Sequence, residues 1–111
     1  MNRNFSQSIT VRCDDPDALI EHLAEWDRRQ ATYDIMGYIG TRLLADRAEL
    51  GTYVIIADFG IVDPDVSAAE EALKNNERAE TQAWADRLRE LIQGEPEYRH
   101  YDELYRTDLA L

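Results

Sequence analysis

The chain has 111 residues, a formal net charge of −11, 44% apolar residues and 32% charged ones. That length supports one ordinary domain, 1–111, and the apolar share is that of a folded globular protein rather than a disordered one. So acidic a surface repels phosphate backbones and anionic bilayers, which argues against nucleic-acid and membrane partners. No apolar run nears the roughly 20 residues of a membrane span, the first residues lack the apolar stretch of a signal peptide, and Cys13 has no second cysteine to pair with. A cytoplasmic protein is the expectation.

Residues 5–13 alternate, with Phe5, Ile9, Val11 and Cys13 on one side and Ser6, Ser8, Thr10 and Arg12 on the other. This predicts a half-buried strand in which Gln7 is the one polar residue of the apolar side. Asp14 or Asp15 then caps a helix over 16–31 with Pro16 near its first position, where a missing N–H costs nothing. Leu19, Ile20, Leu23 and Trp26 form its inward stripe, and Glu25 can pair with Arg29 one turn on.

After a connection over 32–36, residues 37–46 and 51–60 read as two paired strands. Asp46–Gly51 hold the turn, and Gly51 is available for a positive φ. The second of these strands is apolar on both faces: Tyr53, Ile55, Ala57 and Phe59 on one, Val54 and Ile56 on the other. An antiparallel sheet with one face in water should instead show a polar row. Helices can cover one face, so a second chain is expected on the other, and a two-fold dimer is the commonest such arrangement.

Beyond Pro64, Ser67 and Glu70 form a capping box for a short helix that ends at Asn75 and Asn76. A main helix over 77–93 places Thr81, Trp84, Ala85, Leu88, Leu91 and Ile92 on one stripe. Gly94 is expected just past its end, with Pro96 preventing continuation. A last strand is expected over 98–106, where three of the six tyrosines lie. The order β-α-β-β-α-β predicts an α+β, ferredoxin-like antiparallel sheet with its helices on one face.

The stretches Gly37–Leu44 and Gly51–Asp58, and the run Asn76–Leu91 followed by Gly94, Glu95 and Pro96, resemble the antibiotic-biosynthesis-monooxygenase-like family. The resemblance spans nearly the whole chain. It implies a dimeric α+β barrel, in which two sheets pack back to back and each subunit keeps a pocket between sheet and helices. It also implies a cofactor-independent monooxygenase acting on small aromatic or quinol-like molecules, with no cofactor. Such chemistry needs donors aimed at a developing oxyanion. The second helix has no histidine, which argues against the haem degradation that some relatives perform.

The candidate catalytic residues are Trp84, through its indole N–H, His22 as a base beside the helix stripe, and Arg42 within the hairpin. Gln7, Asn76 and Tyr53 are the candidate substrate-binding groups. Each has a plainer structural alternative: a space-filling tryptophan, a rim histidine, an arginine reaching across a dimer interface, a capping asparagine before the main helix, and interface tyrosines. His100 is expected to be structural or interfacial. No spacing of His, Cys, Asp and Glu reads as a metal site. The alternative to an enzyme is a non-catalytic ligand-binding or structural homodimer of the same fold.

Overall fold

The structure is a computed structural model that describes residues 3–30, 37–61 and 65–107, with the side chains of 30 and 75 left aside. The expected connection over 32–36, Tyr33 and Pro64 lie outside the described residues. The elements run β1 (Phe5–Arg12), α1 (Pro16–Gln30), β2 (Tyr38–Ala45), β3 (Thr52–Phe59), α2 (Ala68–Asn75), α3 (Ala79–Leu91) and β4 (Gln93–Asp102). The four strands form one antiparallel sheet in the order β2-β3-β1-β4. This is the ferredoxin-like α+β fold.

The alternation of β1 is kept: Phe5, Ile9 and Val11 are buried under the helices. Ile9 and Val11 meet Leu19 and Leu23 of α1, Leu88 of α3 and Ile55 of β3, so the main core lies between sheet and helices. A second cluster joins Phe5 and Phe59 to Ala68 and Ala72 of α2, whose N-cap is Ser67 accepting from the Glu70 N–H, as its capping box predicts. Ile20, expected on the inward stripe of α1, is 53% exposed instead. It follows Leu19 by about 100° around the helix, which carries it past the edge of the buried face.

The β2–β3 turn forms as its residues dictate. Asp46 Oδ1 accepts from the N–H groups of Ala48 and Glu49, and Gly51 takes φ +86°. The Glu25–Arg29 pair also forms, at 2.6 Å. Both partners are about half exposed, so it contributes only about 0.3–0.5 kcal/mol.

The last strand starts five residues before the expected 98 and ends at Asp102. Two nonlocal facts cause this. Arg12 pairs with Gln93 while Thr10 pairs with Glu97, so an irregularity lies between them, and Gly94 with φ +72° sits there. Gly94 therefore serves a bulge within β4, not the helix end, since α3 closes at Ile92 in an extended conformation. Pro96 is tolerated because β4 is an edge strand whose free side needs no N–H. Tyr105 falls beyond the strand and is 85% exposed.

Register divides the sheet into two faces. Thr41, Leu43, Tyr53, Ile55, Ala57, Gln7, Ile9, Tyr98 and His100 share the helix side. Arg42, Leu44, Val54, Ile56, Ser8, Thr10, Arg99 and Tyr101 share the other. Among the described residues no helix covers that second face, and Leu44 and Tyr101 are exposed on it.

Candidate functional site

The helices do not fill the space above the sheet. A cavity of about 320 Å³ opens between β1, β3 and β4 below and α1 and α3 above. Its floor is Ile9, Ile55, Ala57 and Phe59, and its roof Leu23, Trp26, Trp84 and Ala85. This size and apolar lining suit a small planar organic molecule. Among the described lining residues there is no aspartate or glutamate, although the chain holds 23 of them. An anionic ligand atom is therefore not repelled from within the cavity.

Polar groups cluster at defined points. Thr81 and Trp84, three residues apart on α3 and so on one helix face, both line the cavity. The Trp84 Nε1–H and the Thr81 hydroxyl are buried with no hydrogen-bond partner among the described residues. Leaving such a group unpaired costs about 1–3 kcal/mol each, so a ligand acceptor that met them would recover a penalty the protein alone carries. Gln7 reaches the cavity from β1, with its Nε2 3.4 Å from Nε2 of His100 on β4.

Asn76 lines the cavity as well, but it does not cap the main helix. It closes α2, where its N–H donates to the Leu73 carbonyl and the next N–H, of Glu77, donates to that of Lys74. Its own carbonyl accepts from Gln82 Nε2 at 2.5 Å, which ties the start of α3 to the end of α2. The N-cap of α3 is Arg78, which makes no side-chain cap.

The other candidates lie elsewhere. His22 is absent from the cavity lining and sits in a second cleft, between α1 and α3, with Glu25, Arg29 and Arg87. Its ring stacks on Trp84 at 5.0 Å between centroids, and its Nε2 lies 3.0 Å from the Trp84 carbonyl. A carbonyl can only accept, so Nε2 carries the proton and His22 braces α1 against α3. Arg42 is exposed on the opposite sheet face, opposite Ile56, and cannot reach the cavity. Tyr53 shares the cavity's face but packs at the end held by the main core, outside the lining. The correction for Arg42 comes from strand register, which sequence alternation leaves open, whereas Tyr53 keeps its expected face and lies too far along β3.

Burial, its largest cause, lowers the pKa of His22 below the usual 6.5, although the bond to Trp84 acts against this. The folded state thus binds the proton less readily than the unfolded chain. The stabilisation is complete above the unfolded value and is lost as pH falls through the lowered one. Urea melts of His22→Gln should show a flatter stability profile than wild type between about pH 5 and 7.5. A parallel pair of profiles would place the acid sensitivity in another group.

At the β2 edge of the cavity, Tyr38 donates to Asp27 Oδ1 at 3.2 Å and also contacts the Thr41 hydroxyl. Burial is the main reason its pKa is pushed up to about 12. Tyr38 is therefore a neutral wall group, not a base. Sequence reasoning also missed Thr41, Gln82, Arg89, Tyr98 and His100 as lining residues. The period-two spacing of Tyr98 and His100 did place them on one face, and Arg89 follows Ala85 by one helical turn. Among the described residues, no group of His, Cys, Asp and Glu is arranged to hold a metal ion, and no helix is long and apolar enough to cross a membrane.

No protein-family model matches the sequence, and no curated protein does. The fold does recur among solved structures. A proposed antibiotic biosynthesis monooxygenase from Nitrosomonas europaea is similar at TM-score 0.66 and 13% identity, over 97% of both chains. One from Caulobacter crescentus gives TM-score 0.69 and 10% identity, over 94% of this chain and 92% of that one. A variant of SnoaB, a cofactor-independent oxygenase from Streptomyces nogalater, gives TM-score 0.65 and 20% identity, covering 96% and 97%. The fold expected from the sequence resemblance is thus the fold those structures share.

Proposed function

We propose that the chain is a cofactor-independent monooxygenase of small hydroxylated aromatic molecules, working in the cavity under α3. The observation that carries this is the apolar cavity lined by Trp84 and Thr81, two residues whose Nε1 and Oγ1 are buried and unpartnered among the described residues. The fold shared with a cofactor-independent oxygenase supports it. The flat apolar floor takes the ring. The donors stabilise negative charge on the substrate oxygen once the hydroxyl proton has left. The electron-rich ring then attacks O₂ at carbon: a C–O bond forms, the O–O bond breaks, the ring C–H becomes C=O, and the second oxygen leaves as water. The phenol and O₂ together thus give a quinone and water. In this reading Gln7 and Asn76 bind substrate and Trp84 is catalytic.

Oxygen consumption over a panel of dihydroxyaromatics tests the reading. Uptake above the uncatalysed rate for at least one of them is the expected result. Background uptake throughout, with saturable binding retained, would favour the non-catalytic ligand-binding homodimer.

The assembly belongs to the same reading. The outer sheet face carries Val54, Ile56 and Leu44 and has no helix over it among the described residues, so two copies pack back to back through it. Arg42, exposed there, serves the interface rather than the cavity. In solution at micromolar concentration the chain should run at twice its own mass, and Ile56→Asp should run as a monomer. Wild type running at the single-chain mass would exclude this arrangement.

A further inference from the structure

The proposed reaction needs a group that removes the hydroxyl proton, and the residue expected for it, His22, lies outside the cavity. The remaining candidates on the wall narrow quickly. No described carboxylate lines the cavity. Tyr38 is committed to Asp27 and Thr41. Arginine is no base at any ordinary pH, which removes Arg89, and burial pushes the Tyr98 phenol pKa up, which keeps it protonated and removes it too. The chain's other histidine, His100, remains, on the helix side of β4 and exposed to the cavity mouth.

Its setting is specific. The β1–β4 register puts Gln7 directly opposite His100, and the Gln7 amide nitrogen lies 3.4 Å from its Nε2. That amide can only donate, so in this arrangement Nε2 is the bare, accepting nitrogen and Nδ1 bears the proton. A contact of 3.4 Å is long and is easily displaced by a stronger donor. The ring is tilted on Phe5 at 5.6 Å between centroids, which fixes its plane. The charged and titratable groups around it are Tyr98 and Asp102 on the same face of β4 and Arg89 on α3. Its β1 neighbours, Phe5 and Gln7, are neutral.

The geometry points to His100 as the catalytic base of the cavity, accepting at Nε2 the proton of an aromatic hydroxyl while Gln7 turns its freed N–H to the resulting oxyanion. The inference rests on the aromatic-hydroxyl reading above. The step is a proton transfer: the O–H bond breaks, an N–H bond forms on Nε2, and the electron pair stays on oxygen. It narrows the substrate class to aromatics whose hydroxyl lies at one rim and can reach the β1–β4 edge while the ring lies against the apolar floor.

The test uses 4-nitrophenol, whose phenolate absorbs visibly, and 4-nitroanisole, which has the same shape without the proton. At about pH 6 wild type should bind both. It should raise the ratio of phenolate to neutral phenol in bound nitrophenol about tenfold over solution, a one-unit shift in its apparent pKa. His100→Gln should bind the anisole with unchanged affinity and lose the phenolate signal. His22→Gln should keep that signal. An undiminished phenolate signal in His100→Gln would overturn the role of His100 and leave the cavity reading standing. Equal loss of both ligands in His100→Gln would make His100 a packing residue and overturn it too. No saturable binding of either compound to wild type would remove the cavity reading itself.

Discussion

Trp84→Phe should lower the turnover number of oxygen uptake by about a hundredfold while leaving the fold nearly as stable as wild type. Two magnitudes set this expectation. Removing one preorganised donor from an oxyanion site costs about 10²–10³ in kcat. Removing a buried N–H that has no partner also relieves about 1–3 kcal/mol of unmet desolvation. That relief offsets much of the packing lost with the smaller ring, so urea melts of the two proteins should agree within about 1 kcal/mol. A space-filling tryptophan would behave the opposite way, because its loss would destabilise the chain and leave chemistry alone. The same donor makes Thr81→Val informative: it removes the second orphaned group and should add a further loss. If Trp84→Phe consumes oxygen at the wild-type rate, the indole N–H has no part in the reaction.

The residues that could be read from the sequence are those whose signal is local. The stripe Thr81, Trp84, Ala85 and Leu88 follows from a period of 3.6 alone, and α3 presents it to the sheet as expected. Alternation likewise placed Ile9, Val11, Ile55 and Phe59 in the core. The faces of Arg42 and His100 could not be read for a different reason. Alternation says which residues share a face, but it does not say which face meets the helices. For β4 that choice depends on the bulge at Gly94, which lets Gln93 pair with Arg12 and brings Tyr98 and His100 to the cavity side. A one-residue slip would have sent them to the outer face. His22 failed for a subtler cause. It follows Leu19 by three residues and does turn inward, but only as far as the neighbouring helix, where a backbone carbonyl holds it. Periodicity gives the direction of a side chain and not the depth at which it stops.

Leu88→Ala carries the largest expected stability effect, about 3 kcal/mol. Leu88 is fully buried at the meeting point of α3 with Leu19 of α1 and with Ile9, Val11 and Ile55 of the sheet. Truncating such a leucine removes its transfer energy and leaves a void that the two helices and the twisted sheet cannot close together, and measured losses for this change run at about 2–5 kcal/mol. Domains of this size have about 5–15 kcal/mol in total, so the variant should melt roughly 10 °C or more lower. Leu73→Ala, on α2 and 46% exposed, should cost less than about 1 kcal/mol. Leu88 also lies one turn beyond Trp84 and two beyond Thr81 on the same helix face. A void beneath it loosens the strip of α3 that carries both orphaned donors, and Leu88→Ala should therefore weaken binding of a neutral probe such as 4-nitroanisole even at temperatures where the chain remains folded. Unchanged probe affinity in a Leu88→Ala protein destabilised as expected would mean that the donors are held by α2 and the Gln82–Asn76 bond, independently of the core below them.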